Sequence, residues 1–115
     1  MTLPSWIAAR LARATVRVDV VGQSMLPTLS PGDRLLVRRS RRIHEGDIVA
    51  FADPQEPSRT LVKRVSSIDG ANFVVLGDNR GASRDSRAFG EVAMSQVIGR
   101  VWYRYFPPEA RGRVG

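Results

Sequence analysis

The chain is expected to fold as one compact, mostly β, antiparallel domain with a short N-terminal helix. Short runs in which apolar and polar residues alternate recur along the sequence. Turn-forming clusters of Gly, Pro, Asn and Asp separate them at close intervals. A length of 115 residues suits a single domain with a modest core.

Residues 1–14 form the helical part. Trp6, Ile7, Ala8 and Leu11 are mixed with Arg10 and Arg13, and Pro4 is placed to start a helix with Thr2 or Ser5 near its cap. Packing onto the domain is the expected fate of this amphipathic stretch, with lying on a membrane surface as the alternative. The period then changes: Val16, Val18 and Val20 point one way, Arg17 and Asp19 the other, as in a half-buried strand. Further strands are expected at Arg34 to Arg38, Asp47 to Phe51, Thr60 to Ser66, Asn72 to Leu76 and Ile98 to Tyr105. The turns between them are Ser30-Pro31-Gly32-Asp33, Glu45-Gly46-Asp47, Asp69-Gly70 and Gly77-Asp78-Asn79. Residues 15–106 make up the domain proper, and 107–115, polar and rich in Arg and Gly, are expected to fray as a flexible basic tail.

Composition narrows the chemistry. With no cysteine, disulfides, thiolate metal sites and a cysteine nucleophile are excluded. His and carboxylate residues do not cluster at ligand spacing, so neither a metal nor another cofactor is expected. No stretch approaches the ~20 apolar residues of a membrane span, which suggests a chain soluble in the cytoplasm or peripheral at a membrane. The formal charge is +7, which favours acidic partners. The run Arg38-Arg39-Ser40-Arg41-Arg42 could face phosphates of nucleic acid or anionic lipid headgroups. Poor aromatic interleaving argues against nucleic acid, and a solvated hairpin loop is the plain alternative.

Of the 18 basic residues only Lys63 is a lysine. An arginine cannot be deprotonated in a protein, whereas a buried lysine can become a neutral amine. Lys63 shares a strand face with Leu61 and Val65, while Thr60, Val62, Arg64 and Ser66 form the wetter face. Desolvation on the apolar side would lower its pKa, and bringing it close to neutrality costs about 4 kcal/mol. The alternative is a lysine that snorkels out at the sheet edge. Among the serines, Ser24 has the most distinctive setting, Gly22-Gln23-Ser24-Met25-Leu26-Pro27-Thr28, directly after a strand. A rigid turn there could present its hydroxyl for attack on a carbonyl, with Lys63 taking the proton, or it could be an ordinary strand-ending serine. A third segment, Gly77-Asp78-Asn79-Arg80-Gly81-Ala82-Ser83-Arg84-Asp85-Ser86-Arg87, is a polar loop dense in groups able to brace a site.

Together these three segments resemble the signature boxes of the signal peptidase I family of Ser/Lys-dyad peptidases. The first box is carried by Gly22, Ser24-Met25, Pro27, Thr28 and Gly32-Asp33. The second is carried by Gly46-Asp47-Ile48-Val49 and Lys63-Arg64-Val65, and the third by Gly77-Asp78-Asn79, Ser83, Asp85-Ser86-Arg87 and Gly90. The resemblance runs from about Val20 to Tyr105. It implies the family's β catalytic core and a serine endopeptidase that removes an N-terminal extension or signal peptide from a precursor protein. Ser24 would be the nucleophile, with its own N–H as one oxyanion donor, and Lys63 the general base. The Ser83 hydroxyl would orient the Lys63 amine, Asp85 and Arg87 would brace the loop as an ion pair, and Asn79 and Gly77 would shape the backbone. Met25, Pro27, Asp78 and Ser86 belong to the same boxes as supporting residues.

The chain also departs from the family pattern. No membrane anchor is expected in it, Gly22 stands where some members carry a second hydroxyl, Ser67-Ile68-Asp69-Gly70 replaces a Pro-Gly-Asp turn, and large insertions are missing. A short chain with a Gly99-to-Tyr105 ending resembles the nickel-type superoxide dismutase maturation proteases of that family.

Other readings have their own marks. A self-cleaving LexA-type repressor would need a DNA-binding domain ahead of the first strand and an Ala-Gly cleavage pair, and the sequence has neither. A Ser-His-Asp triad would have to use His44, which lies beside Arg41, Arg42 and the Glu45-Gly46 turn in an apparent loop. A non-enzymatic basic module that binds nucleic acid or an anionic membrane surface is the alternative from a different class.

Overall fold

The computed structural model describes Thr2 to Val114, apart from the side chains of Leu11 and Ala12, so the expectations for Leu11 and Gly115 lie outside the described residues. Helix α1 (Ser5–Ala14) is opened by the Pro4 carbonyl, which accepts from the N–H groups of Ile7 and Ala8. It runs directly into β1 (Thr15–Asp19). There follow β2 (Arg34–Arg39), β3 (Ile48–Ala52), β4 (Thr60–Asp69), β5 (Asn72–Leu76), the one-turn α2 (Ser86–Phe89), β6 (Val92–Ala93), β7 (Val97–Phe106) and β8 (Gly112–Arg113). All strand pairings are antiparallel, in the order β1-β2-β7-β3-β4-β5-β6, with β8 on β7.

The sheet has two apolar faces, and β3 lies at its centre. Ile48 and Ala50 enter one cluster with Val37, Val62, Val101, Met25 and Leu29, while Val49 and Phe51 enter a second with Val65, Phe73, Val75 and Val97. A strand buried on both faces reads as a continuous apolar run, which is why Ile48 to Phe51 shows no alternation. The first cluster is roofed by the segment after β1, whose Met25 and Leu29 are fully buried. Burial of each such side chain contributes about 1.5–3 kcal/mol, enough to seat a loop that has little regular structure of its own.

Three expectations are corrected. Val62, expected on the wet face of its strand, is buried in the first cluster because the Met25–Leu29 segment covers it. Helix α1 does not pack closely onto the domain: Trp6 is 66% exposed, and the only described side chains of the helix that are even half-buried are Ile7 and Ala14. Its apolar stripe is short and interrupted by Arg10 and Arg13. The tail does not fray through its described length. Pro108–Ala110 forms a 3-10 turn, the Ala110 carbonyl accepts from Arg104 Nε at 2.7 Å, β8 pairs with β7, and Val114 packs against the first cluster.

Candidate active site

The loop between β1 and β2 is closed at its neck and pinned at its far side. Val20 N–H donates to the Asp33 carbonyl at 2.8 Å and Gly32 N–H to the Val20 carbonyl at 2.9 Å. Inside the loop, Gly22 takes φ +80°, a conformation that side chains disfavour, and turns the chain so that Ser24 follows immediately. The Leu26–Pro27 peptide is cis. The Asp33 carboxylate accepts from Ser30 N–H and from Arg104 Nη1, each at 2.9 Å, and the same guanidinium donates to the Thr28 carbonyl at 3.1 Å. Arg104 thus ties the loop to β7, a tether that no local sequence pattern announces.

On β4, Lys63 faces the side that holds Leu61 and Val65, and it is only 5% exposed. It does not snorkel. Its Nζ lies 2.6 Å from the Oγ of Ser24. Burial is the largest influence on the amine and pushes its pKa down; Asp85 opposes this, Arg84 adds to it, and Asp53 opposes it more weakly. The net direction is below the ordinary lysine value.

The third segment wraps around this pair. Asn79 N–H donates to the Ser24 carbonyl at 2.8 Å and its side-chain amide to the Gln23 carbonyl at 3.1 Å, so the backbone on either side of Ser24 is held. Asp78 accepts from Thr28 Oγ1 at 2.5 Å and takes a two-pronged contact from Arg64 at 2.9 and 2.8 Å. Arg64 and Thr28 hold the Asp78 carboxyl below its usual range. Gly77 has no room for a side chain: a Cβ there would lie 2.1 Å from Ser83 Oγ and 2.6 Å from the Ser24 carbonyl oxygen.

Asp85 is fully buried and is the hub of the loop. It accepts from Gly77 N–H at 2.9 Å, from Ser83 Oγ at 2.8 Å, and from Arg87 Nε and Nη2 at 2.9 and 3.0 Å. Burial works against its charge, but Arg87, the Gly77 N–H and the Ser83 hydroxyl outweigh it and hold the carboxyl far below the usual range. Ser86 Oγ accepts from Val75 N–H at 2.8 Å and fixes the segment to β5. One expectation changes here. The Ser83 hydroxyl donates to Asp85, and the hydrogen-bond partner of Lys63 Nζ among the described residues is Ser24 alone. Ser83 is thus hydrogen-bonded to Asp85, whose charge acts on the Lys63 amine, and not to the amine itself.

A second buried carboxylate escapes the sequence reading. Asp53, just past β3, is completely buried and pairs with Arg84, which also donates to Gln55 Oε1 at 2.8 Å. Asp53 immediately precedes Pro54 and reads as a turn residue in sequence, so nothing local marks it. His44, by contrast, has a side chain 82% exposed and sits 3.5 Å from Asp47, with no contact to Ser24. The triad reading loses its base. Among the described residues no cluster of His, Cys, Asp and Glu could hold a metal ion, and no helix is long and apolar enough to cross a membrane.

With the fold and the buried Lys63–Ser24 contact in place, comparison with known proteins puts the chain in the class of peptidases. The family described as "Signal peptidase, peptidase S26" matches residues 2–73 and 67–106, and the chain belongs to it. Mitochondrial ATP-independent inner membrane protease subunit 1b of Arabidopsis thaliana is 33% identical over 121 aligned positions, covering 82% of this chain and 72% of that protein. Mitochondrial inner membrane protease subunit 2 of Homo sapiens is 30% identical, covering 86% and 71% respectively. A probable signal peptidase I-1 of Synechocystis is 26% identical, covering 84% and 74%.

Proposed function

We propose that the chain is a serine endopeptidase in which Ser24 attacks the scissile carbonyl and Lys63 acts as general base, and that it trims an N-terminal extension or signal peptide from a precursor protein. The observation that carries this reading is the 2.6 Å separation of Lys63 Nζ and Ser24 Oγ inside a desolvated pocket. With the amine neutral, the serine hydroxyl donates to it. As the oxygen bonds to the carbonyl carbon, its proton passes to Nζ, and the resulting ammonium returns that proton to the leaving amine. Water then attacks the acyl carbonyl as Lys63 takes its proton, and the ammonium gives that proton to Ser24 Oγ as the ester bond breaks, freeing the acid product and restoring the enzyme.

Among the described residues the Ser24 N–H has no hydrogen-bond acceptor, which leaves it free to stabilise the oxyanion. The pairing of β4 with β5 begins at Arg64, so the Thr60–Lys63 edge is open for an extended peptide beside the nucleophile. Val21, 89% exposed and close to Ser24 in the chain, offers an apolar contact there. Asp85 with Arg87, and Asp78 with Arg64, brace the site without touching substrate.

The substrate is a precursor protein, in keeping with relatives named as signal peptidases and inner membrane proteases. Within that class, the Gly99–Tyr105 segment favours maturation of a nickel superoxide dismutase. The test is a cleavage assay read by mass spectrometry on two precursors, one with an Ala-X-Ala signal peptide and one a nickel superoxide dismutase with its N-terminal extension. Cleavage by the wild type but by neither Ser24→Ala nor Lys63→Arg is expected. Retained cleavage in either variant overturns the dyad, and the precursor that is cut decides the substrate.

A further inference from the structure

Away from Ser24, the described face carries arginines that the peptidase chemistry does not use. Arg38 on β2 stands directly opposite Arg100 on β7 in the antiparallel register, and Arg113 on β8 pairs opposite Tyr103 on β7. Like charges set directly across a ladder are destabilising. These three guanidiniums and Trp102 line a pocket of about 540 Å³ whose rim is formed by Ala14, the last residue of α1. A second hollow of about 420 Å³ adjoins it, sharing Arg38 and Arg100 as a wall and adding Arg39, Arg42 and His44. Among the described residues none of these five arginines forms an ion pair, whereas Arg64, Arg84, Arg87 and Arg104 each hold an aspartate. Concave, converging and without a counter-charge, the cluster has the chemistry of a phosphate site.

We infer that this arginine pocket seats the phosphate groups of anionic phospholipids and holds the β2–β7–β8 face against a negatively charged membrane surface. The flanking residues select lipid over other phosphate carriers. Trp102, 37% exposed, lines the pocket itself, and the helix that ends on its rim leaves Trp6 66% exposed, with Leu3 just ahead of it 52% exposed. Indole rings beside guanidiniums suit the headgroup layer, where one edge is wet and the other apolar. Arg10 and Arg13 extend the positive surface along α1. A nucleic-acid site would track a backbone along a stripe with stacking platforms, whereas these arginines line two adjoining hollows.

The site is separate from Ser24 and does not depend on the peptidase reading, so the test uses the full chain carrying Ser24→Ala. Flotation is measured with phosphatidylcholine vesicles and with vesicles in which about a third of the lipid is phosphatidylglycerol. Binding to the anionic vesicles alone, released by high salt, is expected. Arg38→Ser, Arg100→Ser and Arg113→Ser together should weaken it about a hundredfold, at roughly fivefold per arginine. The three Lys substitutions should fall between the triple Ser variant and the parent, because they keep charge but lose the two-pronged grip. If the triple Ser variant does not fold, Arg113→Ser alone, on the two-residue edge strand β8, must still weaken binding about fivefold. Equal binding to both vesicle types, or anionic binding unchanged by these substitutions, overturns the proposal. So does saturation by inorganic phosphate with no vesicle binding, which would mark a soluble ligand, or tighter binding to a DNA duplex or an acidic peptide with the same dependence on the three arginines.

Discussion

Lys63 Nζ and Ser24 Oγ meet at 2.6 Å across 39 residues of sequence, and the lysine that makes this contact is 95% shielded from water. A charged ammonium in that position is opposed by desolvation, and a neutral amine is favoured. Replacement of Lys63 by Met should therefore abolish cleavage while leaving the melting temperature unchanged or higher near neutral pH. The sign follows from linkage. The lysine binds its proton less tightly in the folded chain than in the unfolded one, so wild-type stability rises with pH between the lowered folded value and the unfolded value near 10.4. Lys63→Met removes that slope. Thermal unfolding of both proteins from pH 7 to 10 checks it, and parallel curves would show that the amine is not perturbed.

The acidity of Lys63 should be adjustable from Arg84. Two buried carboxylates, Asp53 and Asp85, favour its protonated form, and the Arg84 cation opposes it. Arg84→Gln removes the cation and leaves the Asp53 charge without its partner. The ascending limb of kcat/KM against pH should then move to higher pH, and adding Asp53→Asn should bring it back down. A limb that stays in place in both variants would mean that Arg84 serves only to hold the loop.

Much of this arrangement is legible in the sequence, and the illegible part has a common cause. The alternation of Val16, Val18 and Val20 and the turn at Asp69-Gly70 are local signals that locate strands, whereas Ser24 and Lys63 stay ambiguous on local pattern and are paired only by the resemblance of the three segments to the family's boxes. Asp53, Arg84 and Arg104 act through partners 31 and 71 residues away, and no spacing rule connects them. The two-residue strands β6 and β8 escape notice because so short a run has no periodicity; their partners β5 and β7 define them. Burial of Val62 and exposure of Trp6 likewise depend on what the rest of the chain lays over each residue.

Gly77 offers a test of how tightly the third segment is set against the first. The packing around it leaves no space for a methyl group, which would meet both the Ser83 side chain and the backbone carbonyl of Ser24. Gly77→Ala should cost about 1–3 kcal/mol in denaturant unfolding. It should also lower kcat strongly, since the strain falls on the peptide of Ser24. Ser83→Gly in the same chain removes the side-chain clash but not the carbonyl clash, so it should restore stability more than activity. Full activity in Gly77→Ala would show that Ser24 tolerates displacement.

Arg104 makes the last prediction, because one side chain bonds to three separate parts of the chain. One guanidinium donates to the Thr28 carbonyl in the loop that carries Ser24, to the buried Asp33 at the neck of that loop, and to the Ala110 carbonyl in the tail. Arg104→Met keeps most of the side-chain volume but leaves the Asp33 carboxylate with the Ser30 N–H as its remaining partner. Removing one member of a buried pair costs about 3–5 kcal/mol. Asp33→Asn should cost less, because the amide oxygen can still accept from Ser30 N–H and Arg104 keeps its acceptors at the Thr28 and Ala110 carbonyls. The double variant should be more stable than Arg104→Met alone, giving a coupling energy well above the ~0.5 kcal/mol scatter of independent sites. Limited proteolysis should at the same time open the Gly22–Gly32 loop in Arg104→Met and spare it in the wild type. Additive single and double effects, with the loop equally protected in each, would mean that Met25 and Leu29 seat Ser24 by packing alone.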